Sequence, residues 1–295
     1  MMRATAVLLR LLLLCALLPV RAAQAQQTAD VPYVQTPSVV VAAMLDLAAV
    51  GAGDNLIDLG SGDGRIVIEA ARKLGTRGMG IELDANLVSI AKAEARRQGV
   101  DGKASFAQGN LFNFDISGAS VLSMYLLPQI NLQLRPRILG QLKPGARVVS
   151  HDFDMGEWQP DQRREIAVPN KSYGPPLSRI YLWYVPADVA GKWRWELSEA
   201  GKPVAYEARI NQRFQQLDAE MLMDRGRAVV RNMKLRGDEL SFTLTRELDG
   251  RPLTHEFSGR VNGDTVTGRV AIGAGADTAL AWTATRAERG TMRIE

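Results

Sequence analysis

Asp58-Leu59-Gly60-Ser61-Gly62-Asp63-Gly64-Arg65 is the stretch that decides the fold. A short apolar run, Leu56-Ile57-Asp58-Leu59, leads into it with the length of a buried strand. Val67, Ala70, Ala71 and Leu74 follow at helical spacing. A glycine-rich turn at such a junction lets the backbone approach a ligand closely, because glycine adopts dihedrals that a Cβ forbids. A plain strand-to-helix connection has the same composition, so the turn alone decides nothing. Its spacing says more. Glycines stand at 60, 62 and 64, and Arg65 occupies the place where a dinucleotide fold wants a third glycine for helix-strand packing. That disfavours NAD or FAD, and without a following Lys-Ser/Thr pair a phosphate-cradling loop is unsupported.

Outward from this turn, strand and helix signals alternate. Before it, Thr36-Pro37 reads as a helix start, with Thr36 as N-cap, Pro37 at the first helical position, and Val40, Met44 and Leu47 on one face. After it, residues 78–83 read as a strand and Leu87, Ile90, Ala91 and Ala95 as a helical face. Residues 105–108 and 119–126 are further strands, 130–142 a helix interrupted near Pro136, and 146–153 a fifth strand after Lys143-Pro144-Gly145. Two more runs, 164–168 and 179–185, complete a seven-strand sheet as a hairpin through Pro175-Pro176. The alternation implies an α/β fold with a doubly wound, Rossmann-like sheet over residues 31–186.

From about Pro186 the period changes to two. Leu240, Phe242 and Leu244 face one way, with Ser241, Thr243 and Thr245 the other. Asn262-Gly263 marks a hairpin turn, and Val266, Val270, Ile272, Leu280 and Trp282 continue the alternation. Residues 191–289 therefore read as a separate, smaller all-β antiparallel domain, a meander or small barrel.

At the start, Arg3 and Arg10 precede the apolar run 11–18, and Ala23-Gln24-Ala25 offers small residues for a peptidase. Residues 1–25 are expected to be a cleavable export signal, and the mature chain to be periplasmic or secreted. The run is far below the roughly 20 residues that span a bilayer. No membrane-spanning segment is expected after cleavage, and association with the cell envelope is left open. Cys15 is the only cysteine and lies in that run, so neither a disulfide framework nor a cysteine metal site is available. Removing Arg3, Arg10 and Arg21 takes the 36 basic residues to 33 against 32 acidic ones, which gives no broad patch for nucleic acid.

Glu82 falls at the end of the second strand, 24 positions after Asp58, where a carboxylate can accept the ribose hydroxyls of a nucleoside. Asp58 sits under the turn, suited to a ligand's amino-acid end, while Asn110 and Leu111 after the third strand suit adenine. Gly60, Ser61, Gly62, Asp63 and Gly64 complete this set.

Tyr33-Val34-Gln35-Thr36-Pro37, the Asp58 to Arg65 loop with Ile66-Val67-Ile68, Gly109-Asn110-Leu111, and Arg147-Val148-Val149-Ser150-His151-Asp152-Phe153 are now all in view. Together they resemble the archaeal broad-specificity protein lysine methyltransferase and the mitochondrial relatives that methylate lysines of inner-membrane proteins. The resemblance covers about residues 31–186. It implies a class I (seven-β-strand) fold, S-adenosylmethionine as methyl donor, a protein with an accessible lysine as acceptor, and Tyr33 and Thr36 in a lid near the methionine part of the donor. Those family members lack the export signal and the β domain, and often carry proline where this chain has Gln35.

Such folds bind ligands at the carboxyl ends of strands. Acceptor-side candidates are therefore Tyr125, with Leu126-Leu127-Pro128, after the fourth strand, and Ser150, His151, Asp152 and Phe153 after the fifth. His151 could take a proton or be a hydrogen-bonded structural group. Asp152 and Asp154 could hold an incoming ammonium or belong to a solvated loop. Trp158 is expected to cap the core, and His255 has no evident metal-binding partner. No metal is expected. Two other readings stay open: an exported S-adenosylmethionine-binding protein without transferase activity, and a ligand-binding β domain scaffolded by the Rossmann half.

Overall fold

Pro37, not Thr36, caps the first helix. α1 (Ser38–Leu47) has no side-chain cap, and the Pro37 carbonyl accepts the N–H groups of Val40 and Val41. The Thr36 hydroxyl is engaged elsewhere, on His151. The computed structural model describes residues 33–171, 174–199, 201–222, 228–248, 250–273 and 279–295. The expected export signal at 1–25 lies outside the described residues.

The α/β half runs β1 (Asn55–Leu59), α2 (Arg65–Leu74), β2 (Arg77–Glu82), α3 (Ala85–Arg97), β3 (Ala104–Gln108), β4 (Val121–Met124), α4 (Pro128–Gln141), β5 (Arg147–His151), β6 (Gln162–Ala167) and β7 (Leu177–Tyr184). The sheet order is β3-β2-β1-β4-β5-β7-β6. β1 to β5 are parallel, and β7 returns antiparallel to both β5 and β6. The order reverses between β1 and β4, so the chain leaves their carboxyl ends in opposite directions and opens a crevice there, the usual ligand position of such sheets. β4 is buried along its whole length, and β1 at all but its first residue, as expected of parallel strands covered on both faces.

Two helices differ from their sequence pattern. In α3 the core face is Val88, Ala91 and Ala95, while Ile90 is exposed. Leu87 and Ile90 share a spacing with the true face one residue away, and local periodicity cannot choose between the two phases. α4 continues through Pro136. Proline deprives the carbonyl four residues earlier of its partner, and that residue, Leu132, is exposed, so water can satisfy it.

The second half is an antiparallel sheet of eight strands: β8 (Gly191–Glu199), β9 (Lys202–Arg213), β10 (Gln216–Met221), β11 (Ala228–Arg236), β12 (Glu239–Leu248), β13 (Arg251–Asn262), β14 (Thr265–Ile272) and β15 (Leu280–Arg289). Their order is β10-β9-β8-β15-β14-β13-β12-β11. β10 and β11, the two ends of that order, approach each other, so the sheet curls into a nearly closed barrel. Leu240, Phe242 and Leu244 point inward. The interior is filled by rings: Trp195 stacks on Tyr206 and meets Phe242, Phe257 and Trp282 edge-on. Leu280 pairs with inward-facing Val270 and so keeps the expected face, but at the start of its strand it is exposed. The β13–β14 turn is Gly263-Asp264, one residue later than Asn262-Gly263, because Asn262 pairs with Thr265. Gly263 supplies the positive φ (59°) at the first turn position, the type II′ requirement. His255 is fully buried and its Nε2 lies 3.0 Å from the Glu199 carboxylate.

The halves are stitched by backbone and rings. Ala187 N–H donates to the Gly237 carbonyl, and the Arg236 guanidinium lies 4.0 Å over the Tyr184 ring. Trp158, completely buried, packs against Trp183 on one side and Phe214 of the barrel on the other.

Candidate active site

The Asp58–Arg65 loop crosses the end of β1 and opens α2, whose first residue is Arg65. Gly62 and Gly64 have φ of 54° and 79°, a region costly for residues with a Cβ. Space forbids a side chain too. A Cβ at Gly64 would come within 2.5 Å of the Phe106 ring and 2.8 Å of Ala91 Cβ, and one at Gly62 within 2.5 Å of the Tyr33 ring. The N–H groups of Gly60 and Ser61 both donate to the Ile81 carbonyl, which ties the loop to the end of β2.

Glu82 ends β2 and reaches back under that loop. Its Oε2 accepts the Gly62 N–H at 2.8 Å, and its Oε1 those of Leu83 and Asp84 at 2.7 and 3.0 Å. A carboxylate has about four acceptor positions, so the fixed group keeps about one for a hydroxyl. Asn110 is exposed at the end of β3, and its Oδ1 accepts the Phe112 N–H. Arg137 from α4 shapes the same turn by donating to the carbonyls of Leu111, Phe112 and Phe114. Leu111 is half-buried beside it.

Asp58 is 2 % exposed and accepts the Ser123 hydroxyl at 2.7 Å. Burial pushes its carboxyl up to about 7, against the Ser123 bond, and the negative charges of Glu82 and Asp63 add to the rise. Such a group is poised to ionise when a cation arrives beside it. Ser61 Oγ is buried with no partner among the described residues, an unsatisfied polar atom at the same strand end.

The segment before α1 closes over this loop. Gln35 Nε2 bridges the Tyr33 hydroxyl (3.1 Å) and Asp63 Oδ2 (3.3 Å). Arg65 grips both Asp63 oxygens and donates to the Thr36 carbonyl at 2.8 Å. Burial raises the Asp63 carboxyl, but Arg65 outweighs it and holds the group below the ordinary range. The Tyr33 hydroxyl is raised, mainly by burial. Arg65, read in the sequence as a missing glycine, is thus the clasp between the loop and the segment before α1. Its residue type is consistent with that role, but only the distant Thr36 carbonyl reveals it.

At the ends of β4 and β5 the structure brings Tyr125, His151 and Phe153 together. The Tyr125 ring lies 3.9 Å from that of His151 and stacks at 6.2 Å on Phe153. His151 is fully buried, with Nδ1 3.3 Å from the Thr36 hydroxyl and Nε2 2.8 Å from that of Ser178. Burial lowers its pKa to about 4, with Asp152 pulling it up and Lys171 down, so the ring is neutral at pH 7. Asp152, in left-handed conformation (φ 60°), already receives an ammonium: Lys171 Nζ donates to its Oδ2 at 2.5 Å and to the Leu177 carbonyl at 2.9 Å. Its Oδ1 accepts the Arg179 N–H. Ser150 stands apart, since neighbouring residues of a strand face opposite ways. Its hydroxyl donates to the Phe153 carbonyl at 2.6 Å, on the side of Asn131 in α4. Sequence reasoning missed Lys171, Ser178 and Asn131, which meet β5 only through tertiary pairing.

Known proteins resemble this chain over the same half. The model of the ANTKMT methyltransferase domain matches residues 58–162. A protein-lysine N-methyltransferase of Saccharolobus islandicus is 40% identical over 156 residues, 52% of this chain and 94% of that protein. The adenine nucleotide translocase lysine N-methyltransferase of Mus musculus is 37% identical over 132 residues, 44% of this chain and 57% of that protein, so the chain spans little more than half of that relative's length. A crystal structure of an RNA methyltransferase from Salinibacter ruber with S-adenosyl-L-homocysteine is 49% identical, covering 53% of this chain and 96% of that one with a TM-score of 0.48. The donor of this class fits the residues present: two glycines where a Cβ would collide, a glutamate fixed at the end of β2, and a buried aspartic acid beside an unsatisfied serine hydroxyl. The chain belongs to the protein-lysine N-methyltransferase family of class I S-adenosylmethionine-dependent methyltransferases.

Proposed function

We propose that the α/β half transfers a methyl group from S-adenosylmethionine to the ε-amine of a protein lysine. The observation that carries the reading is the loop from Asp58 to Gly64, locked to the Glu82 carboxylate through Gly62. Asp58, the loop, Glu82, Asn110 and Leu111 would hold the donor, beneath a lid of Tyr33 and Thr36. When bound, the donor supplies an electrophilic methyl carbon on a sulfonium.

The chain's own task is to align an amine with that carbon and to deprotonate it. Alignment can supply much of the rate. A free lysine has a pKa near 10.4, so neutralising it at pH 7 costs about 4–5 kcal/mol unless its surroundings lower that value. The rings of Tyr125 and Phe153 and the neutral His151 offer an uncharged wall at the ends of β4 and β5. Aromatic faces attract an ammonium, while desolvation there favours its neutral form.

Full-length protein incubated with labelled donor and a cell-envelope extract should place label on lysine, read by mass spectrometry of the labelled band, and release S-adenosylhomocysteine. Donor binding without product release would favour a binder, and label in RNA a different acceptor. Export also stays a proposal, supported by Arg3, Arg10, the apolar run 11–18 and Ala23-Gln24-Ala25. Amino-terminal sequencing of the protein purified from its host tests it.

A further inference from the structure

The β9–β10 hairpin drives one ring of the barrel into the α/β half. Phe214 at its tip is 1 % exposed and has a left-handed backbone (φ 53°), an unfavourable combination for an aromatic residue that its surroundings must impose. Buried Gln212 does so. Its Nε2 donates to the carbonyls of Phe214 and Ala187 at 2.7 and 2.8 Å, while its Oε1 accepts the Val189 N–H at 2.7 Å. The Phe214 ring then stacks on Trp158, centroids 6.1 Å apart and planes 13° from parallel. The Arg135 guanidinium of α4 lies 5.2 Å from the ring centre.

Each neighbouring contact grips the same short segment. Arg213 pairs with Glu157 at 2.5 Å, and Gln215 Nε2 donates to the Gln159 carbonyl at 2.6 Å. From the other side Arg135 donates to the Met155 carbonyl at 2.9 Å and Trp183 to the Trp158 carbonyl at 2.7 Å. Segment 155–159 directly continues the end of β5, where Asn131 holds the carbonyls of Phe153 and Asp154 at 3.2 Å each. Among the described residues, no hydrogen bond or ring contact of residues 212–215 reaches the Asp58–Gly64 loop or Glu82.

We propose that Phe214 is a positioning residue for the acceptor side: through Trp158 the barrel hairpin clamps segment 155–159 and so fixes Phe153 and Asp152 at the end of β5. Acceptor engagement then depends on the barrel, and donor binding does not. This rests on the reading that the ends of β4 and β5 receive the acceptor.

The test uses the full chain carrying Phe214→Gly, which keeps the left-handed tip and removes only the ring. Amide exchange at Phe153, Gly156 and Trp158 should quicken about tenfold. Acceptor KM should rise about fivefold with kcat less affected, and the affinity for S-adenosylhomocysteine should stay within about twofold. Arg213→Ala combined with Gln215→Ala loosens the same segment with the ring in place and should act in the same direction if the glycine variant does not fold. Unchanged exchange and KM in the folded variant would overturn the proposal, as would a loss of donor affinity parallel to the rise in KM. A wild-type chain that binds donor but methylates nothing would count against lysine transfer, while the exchange measurement still decides the role of the hairpin.

Discussion

Glu82 Oε2 and the Gly62 amide nitrogen are 2.8 Å apart, and this bond joins the end of the second strand to the middle of the loop that follows the first. The same carboxylate holds the amides that lead into α3, so one side chain fixes both the loop after β1 and the entry to α3, the proposed donor cradle.

Replacing Glu82 with alanine should therefore cost more than a ligand contact. Hydrogen bonds to a charged group contribute roughly 1.5–3 kcal/mol, so affinity for S-adenosylhomocysteine should fall about 10- to 100-fold, as isothermal calorimetry would read. Unchanged affinity would remove the nucleoside role from this residue.

Gly64→Ala should destabilise the α/β half. A left-handed alanine costs about 1–2 kcal/mol, and overpacking against Phe106 and Ala91 adds about 1–3 kcal/mol. A melting temperature within a degree of the parent would show that the loop can relax.

Asp58 links stability to pH. Its folded carboxyl titrates at about 7 against 3.8 ordinarily, so between those values the folded chain holds a proton that the unfolded chain has released. Its stabilising contribution is complete below pH 3.8, is lost as pH rises towards 7 and is gone above it. Asp58→Asn should flatten that decline, raise stability above pH 7, and weaken donor binding. Denaturant titrations at pH 5 and 8 check the first two, and calorimetry with S-adenosylmethionine the third.

Lys171→Met should strip Asp152 of its part-buried partner and cost roughly 1–3 kcal/mol. With the cation gone, His151 should titrate above its present value of about 4, while Asp152→Asn should lower it. The chain has two histidines, so proton NMR can follow His151 directly. No movement in either variant would mean that the triad is not assembled as described.

The sequence carried the sheet legibly wherever a pattern was local: the strand, glycine turn and helix around Gly62, the hairpin of β6 and β7, and the period of two in Leu240, Phe242 and Leu244. It was mute where the deciding partner is distant. The phase of α3, set one residue from Leu87 and Ile90, comes from packing against the sheet. Thr36 leaves the helix cap for His151 across 115 residues. Lys171 offers no motif, since only the fold places it on Asp152. The continuity of α4 through Pro136 depends on which side of that helix faces water. Glu82 was legible because strand length fixes where β2 ends, whereas Arg65 was noticed only for not being glycine.

The pairing of β8 with β15 has a consequence for synthesis. The first barrel strand finds one of its two neighbours only in β15, Leu280–Arg289, whereas every described strand of the other sheet has been made by Tyr184. A growing chain would carry a finished α/β sheet while β8 still waited with one bare edge, and contacts of such long sequence separation form slowly. During that interval the exposed edge is where chaperone capture or faulty assembly would begin.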